Sequence, residues 1–98
     1  SDIRIPFTYP QKVFVRAWNQ LVSKKARYQP ILQRTIESTD NVLTRYKAKE
    51  TIGLLDSVGR LDSFDYALML WTLDFIEVYS EEKMTVVFQS GIRITQSR

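Results

Sequence analysis

Glu81-x-Lys83, preceded by Asp74 or Glu77, has the residue types of a metal-dependent nuclease, in which carboxylates hold Mg²⁺ and a lysine assists the attacking water. Such ligands belong on paired strands facing one pocket, whereas Glu81 and Lys83 fall in a predicted turn, where charged residues are expected anyway. A chain of 98 residues with no cysteine and no histidine has no thiol nucleophile, no imidazole acid or base, and no zinc site built from those side chains. No serine has a His or Lys base at motif spacing, and there is no glycine-rich phosphate loop of the G-x-x-x-x-G-K-[ST] or G-x-G-x-x-G kind. The expectation is a chain that is not an enzyme by itself and uses no metal, cofactor or small-molecule substrate.

The second candidate chemistry is electrostatic. Residues 1–49 carry ten basic and three acidic groups, net +7, and residues 50–98 carry four and eight, net −4, which together make the +3 of the whole chain. No acid occurs between Asp2 and Glu37, an interval that holds Arg4, Lys12, Arg16, Lys24, Lys25, Arg27 and Arg34. Lys12, Arg16, Asn19, Ser23 and Arg27 recur at helical spacing with no acid among them, as donors docking along a DNA backbone would. Arg45 and Lys49 share a face on a helix, and Lys47 points about 160° away from Arg45. The alternatives are a solvated face, or a positive half docked against a negative half. Tyr9, Tyr28 and Tyr46 flank basic residues and can stack on bases or lie along phosphates.

These side chains need elements to hold them. The length suits one domain, and 44% hydrophobic and 12% aromatic residues suffice for a core. No repeat or Gly/Ser linker divides the chain, so residues 1–98 read as a single module. Its opening on Ser1 instead of Met reads as the excised piece of a longer protein. No apolar run approaches the roughly 20 residues of a membrane span and no signal peptide is visible, so the expected compartment is the cytoplasm.

After a lead-in over residues 1–9, Pro10 fits the first turn of a helix. From Gln11 to about Tyr28 the residues Val13, Phe14, Ala17, Trp18, Leu21 and Val22 form one buried face. Pro30 should interrupt this helix or start a short one over Ile31–Ser38. Ser38, Thr39 and Asp40 are N-cap types before a helix from about Asn41 to Asp56, with Leu43, Ala48, Ile52, Leu54 and Leu55 inward and Gly59 closing it. Asp62 is placed to cap a third main helix from about Ser63 to Phe75, with Phe64, Ala67, Leu68, Trp71 and Phe75 on one stripe. Trp18 and Trp71 both read as core anchors. The opposite side of that last helix, Tyr66, Met69, Leu70 and Leu73, is also apolar and is the predicted partner interface. The tail changes period: Glu77–Ser80, Met84–Gln89 and Ile92–Thr95 read as strands, joined by residues 81–83 and by a two-residue Ser90-Gly91 turn. The expected fold class is α+β, mostly helical with about three helices, ending in a small antiparallel β-meander.

Several segments resemble one family. Phe14-Val-Arg-Ala-Trp-Asn-Gln-Leu-Val22 is similar to the F-V-R-A-W-N-x-L segment that follows the zinc-ribbon cysteines in many bacterial serine site-specific recombinases. Leu43-Thr-Arg-Tyr-Lys-Ala-Lys49 resembles the L-x-R-Y-x-A-K stretch of the same family. Phe64-Asp65, Leu70-x-x-Leu73, Ile76-Glu-Val-Tyr79, Thr85-Val-Val-Phe88 and Gly91-x-x-Ile94 resemble its ending, in order and spacing. The resemblance spans about Pro10 to Thr95.

It implies a C-terminal fragment of a recombinase that acts on mobile-element DNA, in the bacterial cytoplasm at the nucleoid. In that family a serine of a separate N-terminal domain attacks the phosphodiester, and C-terminal regions bind attachment-site DNA and contact other protomers. The zinc-ribbon cysteines are absent, so metal binding and the readout attributed to them do not carry over. Nor is there a long a/d heptad run. The expected function is an accessory DNA-binding or assembly region, with double-stranded DNA and other recombinase protomers as partners. The alternative is a protein–protein module without direct DNA contact.

Overall fold

The computed structural model describes residues 9–97: four helices followed by a three-stranded antiparallel meander, in an α+β arrangement. The lead-in over residues 1–8, with Arg4 and Pro6, lies outside the described residues.

Helix α1 (Tyr9–Ser23) is the central element, packing on the sheet on one side and the other helices on the other. Val13, Phe14, Ala17, Trp18 and Leu21, the stripe expected from the spacing, are fully buried. The Phe14 ring lies 6.3 Å from Phe64, edge-on, and 6.0 Å from Phe88, which ties helix, loop and sheet into one aromatic cluster.

The helix does not run to Tyr28, and Pro30 does not interrupt it. The break comes at Lys24 (φ −112°, ψ 36°), and α2 (Lys25–Ser38) passes straight through Pro30. An unbroken helix would carry the Phe14, Trp18 and Leu21 stripe on to Lys25. Breaking at Lys24 instead lets Tyr28 and Leu32 reach the core while Lys25 pairs with Asp56 at 2.6 Å. Pro30 leaves the Ala26 carbonyl without its helical donor, but both residues are exposed, where water can supply one.

α2 and α3 (Val42–Ser57) form an antiparallel helical hairpin around Thr39-Asp40-Asn41. Asn41, one residue beyond the predicted cap types, caps α3: its Oδ1 accepts from the Thr44 N–H at 2.9 Å. The buried face of α3 is Lys47, Ala48, Thr51 and Leu55. Leu43, expected inward, is 58% exposed, while Ile52 and Leu54 are half-buried against the core. Thr51 takes an inward place because its hydroxyl donates to the Lys47 carbonyl at 2.7 Å, so no polar group is left unpaired. Gly59, at φ +66°, follows the helix end as expected.

α4 (Tyr66–Thr72) is half its predicted length. Asp65, not Asp62, caps it, accepting from the Leu68 N–H at 2.9 Å. The chain turns extended at Leu73, because from there on it pairs with the central strand, and a paired ladder prevails over local helical periodicity. Phe75, expected on the helix, therefore lies on a strand.

β1 (Leu73–Ser80), β2 (Lys83–Phe88) and β3 (Arg93–Ser97) follow in order. Met84, Val86 and Phe88 of β2 face the helices. Thr85 and Val87 point away from them yet are also buried. Their cover comes from the flanking strands: Arg93 on β3 reaches Glu77 on β1 at 2.8 Å, and the Thr85 and Thr95 hydroxyls bond at 2.9 Å. The β2–β3 loop has three residues instead of two. Gly91 N–H donates to Phe88 O, Phe88 N–H to Ile92 O, and Gly91 takes φ +95°, the left-handed residue such a loop requires.

Candidate nucleic-acid interface

The predicted basic stripe is built on α1 and the start of α2. Lys12 and Arg16 are exposed one turn apart, about 6 Å along the axis of α1. Arg16 also donates to the Ser97 carbonyl at 2.7 Å, which fastens the end of β3 to this face. A surface groove of about 610 Å³ runs beside them, lined by Tyr9, Val15 and Phe64 as well as by both cations; Asp62 lines it too.

Asn19 does not belong to the exposed stripe. Its Nδ2 donates to the Leu61 carbonyl at 2.9 Å and its Oδ1 accepts from the Leu61 N–H at 2.8 Å. Both ends of the amide thus serve one backbone residue of the α3–α4 connection, which holds the side chain against that connection. Ser23 is exposed and donates to the Gln20 carbonyl at 3.2 Å. Arg27 is exposed across the Lys24 break, 5.6 Å from the centre of the Tyr28 ring.

Arg45 and Lys49 are apart from this group. Arg45 donates to the Thr39 carbonyl at 2.5 Å, at the tip of the α2–α3 hairpin, and the helical rise puts that tip about 18 Å along α2 from Arg27. Lys49 is exposed nearby on α3. The seven predicted residues therefore divide: Lys12 and Arg16 line one groove, Ser23 and Arg27 flank the Lys24 break, Arg45 and Lys49 lie on α3, and Asn19 is a structural clamp.

Ion pairs decide between the electrostatic readings. Three are present among the described residues: Lys25–Asp56, Lys47–Glu50 and Arg93–Glu77. Two of them, Lys25–Asp56 and Lys47–Glu50, join the basic half to the acidic half; the side chains of the first are 42% and 64% exposed, so it adds little, and the second closes at 3.7 Å between residues one turn apart on α3. Lys12, Arg16, Lys24, Arg27, Arg34 and Lys49 have no ion-pair partner among the described residues. Apart from Lys25 and Lys47, no cation of the basic half is neutralised by an ion pair with the acidic half among the described residues.

Lys47 does turn away from Arg45 and Lys49, into a site the sequence reading missed. Its Nζ donates to the Trp71 carbonyl at 2.8 Å, lies 3.9 Å from the centre of the Trp71 ring, and is 3.7 Å from Glu50 Oε1. The indole N–H of Trp71 donates in turn to Glu50 Oε2 at 3.0 Å. The available signal was the Lys47/Glu50 spacing on α3; its third member, 24 residues away, had none.

Trp18 is the core anchor expected, with its N–H donating to the Gly59 carbonyl at 2.8 Å. Trp71 is not, being 48% exposed. Of the predicted partner residues, Tyr66 and Leu70 are exposed, whereas Met69 and Leu73 pack against the core. α4 is turned from its predicted phase, so Trp71 joins Tyr66 and Leu70 outside. Tyr28 is buried, Tyr9 half-buried and Tyr46 exposed.

The nuclease-like residues do not converge. Glu81 is exposed in the β1–β2 turn, Glu77 is held by Arg93 and the Tyr79 hydroxyl, and Lys83 lies 5.3 Å from the centre of the Tyr79 ring. Among the described residues no three acidic side chains gather to hold a metal ion, and no helix is long and apolar enough to cross a membrane. No family model, curated protein or solved structure matches the chain.

Proposed function

We propose that this chain is an accessory, non-catalytic region of a serine site-specific recombinase that contacts duplex DNA and helps assemble protomers during recombination of a mobile element. One observation carries the DNA contact: Lys12, Arg16, Lys24 and Arg27 are exposed and have no ion-pair partner among the described residues. Cations left in this state attract a polyanion and release its counterions on contact. The resemblance supports the reading by its order. Its first segment falls on α1, its second on α3, and its last ones on α4 and the three strands. On this reading the chain acts at the bacterial nucleoid, and the serine that cleaves DNA belongs to another part of the parent enzyme.

Fluorescence anisotropy of a labelled duplex tests this between about 50 and 200 mM salt. Four phosphate contacts predict a log–log slope of about −3 to −4, or roughly a 100-fold loss of affinity over that range. Replacing Lys12 and Arg27 together by Glu should abolish most binding; among the described residues neither makes a side-chain hydrogen bond, and Arg27 gives up only its exposed contact with the Tyr28 ring, so the fold should suffer little. Unchanged affinity in this variant would remove the α1–α2 face from the proposal. The assembly role draws on a separate observation, the apolar side chains that α3 and α4 leave exposed.

A further inference from the structure

We propose that the exposed apolar face made by α3 and α4 is the surface through which two copies of this chain pair. The proposal deepens the assembly part of the function given above and does not depend on the DNA part. Leu43 and Tyr46 on α3 and Val58 just after it, with Tyr66, Leu70 and Trp71 on α4, are between 37% and 62% exposed. Trp71 connects the two sets, since it bonds to Glu50 and holds Lys47 while also lining, with Val58, a groove of about 300 Å³ between the helices.

The size of the face suits a dimer. Six large apolar side chains at these exposures present on the order of 700 Å², near the roughly 800 Å² that each partner contributes to a stable interface. Lone patches on monomers are usually smaller. Its composition is that of an interface centre, rich in Tyr, Trp and Leu. Trp71 is also fixed in place before any partner arrives, because its N–H, its carbonyl and its ring each have a partner on α3. Little side-chain freedom remains to be lost on association.

Charge selects the occupant. α4 carries no ionisable side chain other than Tyr66, so nothing there attracts phosphates. Lys47 and Glu50 neutralise each other beneath Trp71, and Asp65 is occupied as the cap of α4. The centre of the face is thus close to neutral. Its ends carry charge of both signs: Arg45 and Lys49 accompany Tyr46 near the hairpin tip, where Glu37 and Asp40 are also exposed, and Asp62 and Asp65, offset in part by Arg60, precede Tyr66. A two-fold axis through Trp71 sets Arg45 and Lys49 of one copy toward Asp62 and Asp65 of the other, the self-complementary arrangement of an isologous dimer.

Sedimentation equilibrium of the 98-residue chain without DNA, up to about 100 μM, should show a mass rising from monomer to twice that value. Trp71 emission should move to shorter wavelength over the same range, while Trp18, already buried, stays constant. Replacing Tyr66 and Leu70 together by Glu should hold the chain monomeric with unchanged circular dichroism and unchanged DNA affinity. A wild-type chain that stays monomeric at the top concentration overturns the proposal and leaves the face to a different protein or to other parts of a longer chain. A dimer that survives the double substitution overturns it equally. The variant with Glu at Lys12 and Arg27 should still dimerise, so failure of DNA binding and failure of pairing are separable.

Discussion

Trp18 and Trp71 occupy apolar helical runs, donate their indole N–H to an oxygen of another element, and meet opposite fates. Trp18 is fully buried, with its N–H on the Gly59 carbonyl in the connection after α3. Trp71 lies half in solvent, held by a lysine on its ring and a carboxylate on its N–H. The first tryptophan is held mainly by apolar burial, and the second by polar contacts that leave its ring displayed. Similar local sequence thus serves stability at one end of the molecule and presentation at the other.

The largest effect should come from Trp18→Ala, which ought to lose about 3–5 kcal/mol in urea unfolding through the cavity it leaves. A loss no greater than that of Trp71→Ala would erase the contrast. Asn19→Ala, next to Trp18, should cost about 1–3 kcal/mol, since it strands the N–H and C=O of Leu61. Trp71→Ala should cost about 1 kcal/mol, because the ring is half-exposed and its loss mainly removes the lysine contact and one hydrogen bond. Acrylamide sharpens the same contrast at low chain concentration: it should quench Trp71 and leave Trp18 emitting, so that Trp71→Phe yields a nearly unquenchable protein. The smallest effect on stability belongs to the pair Lys12→Glu and Arg27→Glu, within about 0.5 kcal/mol, although DNA affinity should fall by orders of magnitude.

What could be read in advance follows from how strongly each segment is patterned. α1 was legible because its apolar residues recur at three- and four-residue spacing with polar residues between them through four turns, and the strands because their β-branched runs are bounded by charge and glycine. α4 was not. Its seven residues, Tyr-Ala-Leu-Met-Leu-Trp-Thr, are apolar on every side except for Thr72, and Thr72 is buried together with Leu68. Its hydroxyl donates to the Leu68 carbonyl at 2.8 Å, as that of Thr51 does to Lys47 in α3. A threonine that satisfies itself on the preceding turn faces the core at little cost, and so it inverts the phase a polar residue normally marks. Leu43 and Trp71 were misplaced for this reason.

The candidate site divides in the same way. Exposure of Lys12 and Arg16 follows from their place opposite the apolar stripe of α1, whereas Arg27 lies beyond the Lys24 break and the clamp of Asn19 on Leu61 spans 42 residues and leaves no local trace.

By itself, the sequence determined the fold class, the order of helix and strand, the core face of α1 and the imbalance of charge along the chain. These rest on local periodicity and on composition, which neighbours in space do not alter. Tertiary structure decided where α1 breaks, where α4 yields to β1, which tryptophan is enclosed, and that, among the described residues, most cations of the basic half have no ion pair with the acidic one. Each of these outcomes is a competition between a local preference and partners distant in the chain, and only the folded arrangement brings those partners together.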